Sequence, residues 1–208
     1  MSTRLRRRKE GGVSLVELLV FIVIIGVAMA GMFAALNTMT RGSADPQVRK
    51  QVLAIAESLM DEVASMPFTY CDPDDANAAT ATSATVGAGT TNCATAAEIA
   101  AVNTGDAATN EPGETRYSTS TPFDNVNDYH GFSMSGIKAI SDGSTNITGL
   151  GSYTASITVT QAGISSGIDA VPLAAALLIR VTVTGPPPRN ESVTLEGFRT
   201  RYAPNTLP

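Results

Sequence analysis

The chain has 208 residues, room for one domain of ordinary size plus an anchor and too few for two large cores. Its charge is divided: residues 1–12 carry Arg4, Arg6, Arg7, Arg8 and Lys9 against Glu10 alone, while the remainder carries nine basic and eighteen acidic side chains. An acidic body argues against a nucleic-acid partner, whose phosphates need a basic footprint on the folded part, and a basic start suits a cytoplasmic leader ahead of a membrane span.

From residue 18 to residue 36 there are nineteen consecutive residues without a charge or a polar side chain. As a helix this run measures about 29 Å, the thickness of a bilayer's hydrocarbon core. Glu17 stands immediately before it. A carboxylate there reads either as a functional group or as the plain end of the span, where a charge near the headgroups is cheap. If the chain is cut between Gly12 and Val13, a new amine lies four residues before Glu17, on the same helix face. That amine falls at the positive end of the helix dipole and needs a partner. In a poorly hydrated helix bundle its attraction to a carboxylate is far stronger than in water, so Glu17 is expected to set the register between packed helices.

This arrangement resembles the class III leader of type IV prepilins. Gly12, Val13, Ser14, Leu15, Val16 and Glu17 stand where that family has Gly, Phe, Thr, Leu, Ile or Val, and Glu; the departure is Val13 in place of Phe. The resemblance implies removal of the leader after Gly12 by a prepilin peptidase and methylation of the new terminus. It also implies an inner-membrane single-pass protein in the lipid bilayer, with its head in the periplasm before it reaches a pilus on the cell surface. Its partners are expected to be other major and minor pilins, met through the N-terminal helix, and an inner-membrane assembly platform. Two rival readings are a secretory signal peptide cut after Ala30, leaving a soluble binding protein that begins at Gly31, and an uncleaved anchor. Neither accounts for Gly12 and Glu17 together.

After the span, Asp45 and Pro46 form a helix start signal, with Asp45 as N-cap and Pro46 at the first helical position. A helix is expected over 46–63. Its apolar residues Val48, Val52, Ile55, Ala56, Leu59 and Val63 recur at spacings of three and four, a stripe for packing against the domain's own sheet. One long helix results, kinked or melted near residues 42–46.

Met66-Pro67 closes that helix. The stretch 76–110 is rich in Ala, Thr, Gly and Asn, with little periodicity beyond a short helix at 94–102, so a long surface excursion is expected. Cys71 lies just before this stretch and Cys93 within it; if the body is exported, a disulfide between them would staple the loop, the alternative being two unpaired thiols. Acidic clusters bracket the excursion, Asp72, Asp74 and Asp75 before it and Asp124 and Asp128 after it. Carboxylates and amides at such spacing are candidate calcium ligands. They are also what turns and caps use, and the absence of an EF-hand pattern favours turns and no cofactor. His130 has no second His, Cys or nucleophile near it in sequence, and the Gly131 that follows marks a turn. No phosphate loop, metal-ligand quartet or nucleophile with a base stands out, so catalysis is not expected.

Residues 151–160 alternate as a half-buried strand, with Tyr153, Ala155, Ile157 and Val159 on one face. Residues 177–184 repeat the pattern with Leu177, Ile179, Val181 and Val183 inward, and 192–202 return as a third strand broken at Gly197. The expected fold class is therefore α+β, a pilin-like roll. A long N-terminal helix, its first half transmembrane, packs on an antiparallel sheet of three or more strands. Its parts are a leader (1–12), a membrane and filament-core helix (13–40), an amphipathic continuation (41–66), a variable excursion (67–122) and a sheet region (123–208). Across these parts, YCDPDDANA, FDNVNDYHGF and TLEGFRTRYA resemble the D-type minor pilins of the mannose-sensitive haemagglutinin pilus. That resemblance implies a minor subunit for initiation, assembly, the tip or attachment. A minor pseudopilin of a type II secretion system shares the same plan and is the alternative.

Overall fold

The computed structural model describes residues 12–43, 45–103, 113–140, 142–163 and 173–205. The basic leader up to residue 11 lies outside them. The chain divides into two compact units, Met1–Asp45 and Pro46–Pro208.

The first unit is helix α1, Leu15–Ser43. It opens with the Leu18 amide donating to the Ser14 carbonyl at 3.0 Å, and it runs without Pro through residues whose aliphatic character suits a helix in apolar surroundings. Near the end of the apolar run, the Thr38 hydroxyl folds back onto the Ala34 and Ala35 carbonyls at 3.0 and 2.8 Å. Its polar group is thereby satisfied within the helix itself.

The second unit is an α+β domain. Helix α2, Asp45–Ser65, buries Val52, Ala56, Leu59 and Val63, with Val48 and Ile55 half-buried beside them. It stops before Met66-Pro67, because a residue preceding proline is pushed out of helical geometry. The sheet has four antiparallel strands in the order β1 (Ser133–Ser135), β2 (Thr154–Gln161), β3 (Ala176–Thr184) and β4 (Ser192–Thr200). Ile157 pairs with Val181 and Val181 with Leu195. Side chains alternate across a strand, so Ala155, Ile157 and Val159 of β2 join Leu177, Ile179, Val181 and Val183 of β3 in one core with the stripe of α2. On the other face Arg180 reaches Glu196 at 2.6 Å and Thr182 meets Thr194 at 2.9 Å.

Three details depart from the sequence reading. Strand β4 is not broken at Gly197, which sits in register opposite Ile179. A Cβ placed there would lie 3.1 Å from the Met60 sulfur, so the glycine lets α2 approach the sheet and does not end a strand. A Cβ at Gly185 would lie 2.8 Å from Val48, which makes it a second close-approach position. The short helix expected at 94–102 is absent; this segment is extended, with isolated bridges from Ala97 to Cys71 and from Ala101 to Thr160. Finally, the excursion has a small core of its own. Cys71, Ala78, Ala81 and Cys93 are buried together, with Tyr70 and Ala97 against them, and the structure joins Cys71 to Cys93. Closing a loop of 22 residues in this way restricts the unfolded chain by about 3 kcal/mol. Small residues suffice because polar bonds do the rest: Asn77 donates to the Asn92 carbonyl at 2.9 Å, and Asn205 donates to those of Ala78 and Ala81 at 3.1 and 2.9 Å.

Candidate functional site

Two groups of residues carry chemistry. The first is the start of α1. Gly12, Val13 and Ser14 precede the helix and Glu17 lies in its first turn. Val13 therefore stands just outside the helical segment, so its four-residue spacing to Glu17 is not the helical one that the sequence reading assumed. With Ser14 preceding the first helical residue, Glu17 takes the third helical position. Ser14-Leu15-Val16-Glu17 has the spacing of a capping box, and a carboxylate there suits the positive helix end before any partner helix is met. That spacing is legible in the sequence itself.

The residues that follow expose their apolar side chains on every side of the helix, from Val13 through Phe21, Ile24 and Phe33 to Met39. Over Leu15–Met39 the helix is long and apolar enough to cross a membrane by length and composition, and none of that window is buried. A helix apolar all round requires an apolar environment.

The second group is acidic and lies in the head. The structure sorts the five Asp residues singled out in the sequence into two kinds. Asp75 is a loop organiser: its carboxylate accepts from the backbone amides of Asn77, Ala94, Thr95 and Ala96 at 2.7–3.1 Å, and from the Thr95 hydroxyl at 3.0 Å. Burial pushes its pKa up, but these donors outweigh burial and hold it well below the usual carboxylate range. These bonds hold the segment 94–96 against Asp75, and Ala97 and Ala101 go on to bridge Cys71 and Thr160 in extended backbone. Asp128 likewise closes a capping box on the 3-10 turn Val126–Tyr129, accepting from the amides of Asp124 and Asn125 at 3.0 and 2.6 Å. Both residues thus act as turn formers, Asp75 through both oxygens and Asp128 through Oδ2.

Asp72, Asp74 and Asp124 behave differently, for each places a carboxylate oxygen within 4.8 Å of the other two. Asp72 is 1% exposed. One of its oxygens accepts from the Asp74 amide at 2.7 Å, whereas Oδ2 is buried with no partner at hydrogen-bond distance among the described residues, and the Glu114 carboxyl lies close enough to share a hydrogen bond with the residue. Burial raises the Asp72 pKa; the Asp74 amide and the Glu114 carboxyl oppose this by hydrogen bonding, and the charges of Asp74 and Asp75 add to the rise.

Glu98, which the sequence reading did not single out, is 2% exposed, and its Oε2 has no hydrogen-bond partner among the described residues. Burial first, then the Asp128 charge and those of Asp72 and Glu114, push its carboxyl well above the usual range, with Asn127 opposing. The Arg201 guanidinium is within electrostatic reach of Glu98 and lies over the rings of Phe68 and Tyr70 at 4.0 and 4.6 Å.

His130 is also structural. It is buried, and its Nδ1 lies 2.6 Å from the Val159 carbonyl, which pins the 3-10 turn to β2; Gly131 supplies the turn with φ of 77°. A further node that the sequence did not reveal ties α2 to the excursion. Arg116 grips both Glu62 oxygens at 2.7 Å and donates to the Lys138 carbonyl at 3.1 Å, while the Tyr129 hydroxyl donates to Glu62 at 2.9 Å. Burial and the Glu62 charge raise the Tyr129 pKa, which keeps that hydroxyl a donor.

Comparison with curated proteins and with solved structures found no match. Residues 7–33 match the family described as the prokaryotic N-terminal methylation motif, a segment that contains Gly12, Val13, Glu17 and the apolar half of α1. The chain thus carries a type IV prepilin-like signal, which supports a type IV pilin-like protein, structural and not enzymatic, whose apolar helix fits a membrane anchor and whose motif implies processing by prepilin peptidase and assembly with other pilins.

Proposed function

We propose that the chain is a minor structural subunit of a type IV pilus of the mannose-sensitive haemagglutinin kind, acting in filament initiation, assembly or at the tip, and in surface attachment. The observation that supports this reading is the methylation motif laid over a helix whose whole apolar surface is exposed. In this reading the leader is cut after Gly12, Val13 becomes the terminus, and α1 passes from the inner membrane into a filament core. Lipid and neighbouring helices offer the same apolar surroundings, so the transfer costs little burial. Glu17, in the first turn of α1, meets the new amine of a neighbouring subunit and fixes the register in which subunits pack.

Sequencing the N-terminus of the protein recovered from cells tests the first step. Val13 is expected; Gly31 would identify an exported soluble protein cut after Ala30, and a retained arginine-rich start would identify an uncleaved anchor. For the register, Glu17→Val is expected to leave leader cleavage intact and to lower incorporation into filaments by about tenfold, the worth of one poorly screened ion pair. Wild-type incorporation of that variant would remove the register role. Deleting the chain should abolish or shorten pili while protein secretion continues; the reverse phenotype would assign it to a type II secretion pseudopilus.

A further inference from the structure

We infer that Asp72, Asp74 and Asp124 form a calcium site in the head, joining the start of the disulfide loop to the segment that leads into the sheet. The geometry is the first ground. Two oxygens bound to one calcium at about 2.4 Å can be at most about 4.8 Å apart, and the three carboxylates meet that limit for every pair.

The second ground is charge. Three carboxylates converging this closely repel one another, and a cation between them turns that repulsion into attraction. Asp72 is almost fully buried, and its Oδ2 has no partner at hydrogen-bond distance among the described residues. Glu98, equally buried and with Oε2 unpartnered, lies within electrostatic reach of Asp72, as do Glu114 and Asp75. Asp75 is engaged by backbone amides through both oxygens, and Asp128 accepts its capping-box amides through Oδ2. The nearby cation, Arg201, stacks on Phe68 and Tyr70 and answers to Glu98. One guanidinium cannot balance this many carboxylates, whereas a divalent ion among the three convergent ones can.

The ligand class selects the metal. An all-carboxylate set with no His or Cys suits a hard cation. Magnesium holds its water and demands a regular octahedron, while calcium accepts six to eight oxygens in irregular arrangements. Asp74 is exposed and Asp124 half-buried, which leaves an open side for water to complete the shell. Bound there, the ion would cross-link 72–74 to 124, two segments otherwise held by the Asn125 to Thr69 side-chain bond at 2.7 Å and the Val126 amide on the Pro67 carbonyl at 3.0 Å.

The test uses the full chain in detergent, stripped with a chelator and titrated with calcium chloride while heat uptake and the melting of the head are followed. Calcium is expected to raise the melting temperature by about 5–10 °C at a hundredfold excess over Kd. Asp74→Asn and Asp124→Asn should each weaken binding at least about tenfold, the loss of one charged ligand from such a site, while Glu57→Gln, exposed on α2, should bind as the parent does. Because Asp74 is exposed, its variant keeps the test decisive even if Asp124→Asn misfolds. Absence of binding heat and of any melting shift at about 10 mM calcium, beyond the range of weak extracellular sites, would overturn the site. So would undiminished binding by Asp74→Asn. An equal response to magnesium would overturn the choice of calcium.

Discussion

Helices α1 and α2 have the same secondary structure and opposite solvent requirements. In α1 the apolar residues surround the axis and none of the membrane-length window is buried; in α2 they form a stripe, and Val52, Ala56, Leu59 and Val63 are fully or almost fully buried against the sheet. The lesson concerns where each helix finds its stability. The burial of α2 is complete inside its own domain, so its packing contributes to folding of the head. The apolar surface of α1 finds no burial within its own unit, and a helix apolar all round needs apolar surroundings such as a membrane, for which its length and composition suffice.

That contrast can be broken by experiment. The largest effect is expected at the polar anchor of α2: Arg116→Met leaves the carboxylate of Glu62 without its bidentate partner in a mostly buried place, at a cost of about 3–4 kcal/mol. Urea unfolding of the detergent-solubilised chain measures it, and a cost under about 1 kcal/mol would show that Tyr129 and water suffice. Slightly smaller is Leu59→Ala, expected to cost about 3 kcal/mol because it opens a cavity under the sheet. The paired truncation Ile22→Ala in α1 should leave the melting of the head unchanged. A loss of head stability from Ile22→Ala would collapse the distinction between the two helices. The smallest is Arg180→Ala on the open sheet face, where the pair with Glu196 is exposed and contributes less than about 0.5 kcal/mol.

Much of the head was legible where burial follows a local period. Alternation alone assigned Ile157, Val159, Leu177, Ile179, Val181 and Val183 to the core face, and the spacing of Val52, Ala56, Leu59 and Val63 picked the buried stripe of α2. Reading failed where a residue answers to a distant one. Gly197 looks like a strand breaker until Met60 is seen against it. Ala94, Thr95 and Ala96 look helical until their amides are found on Asp75, some twenty positions away. Strand β1, only three residues long, is too short for any period to register. The acidic clusters were found by composition, yet composition could not say that Asp75 and Asp128 are held by backbone amides while Asp72, Asp74 and Asp124 converge. It also gave no hint that Glu98 and Glu114 belong with them.

By itself the amino-acid order determined the membrane-length helix, the prepilin-like signal at Gly12 and Glu17, and the faces of α2, β2 and β3. All of these rest on residue type at short, regular spacing, where chain geometry leaves little choice. Only the tertiary structure decided the pairing of Arg116 with Glu62, the use of Asp75 as an acceptor for a remote loop, and the meeting of three carboxylates from two segments. Those contacts arise when segments far apart in the chain are brought together by burial of the core, and nothing in their local sequence encodes the partner.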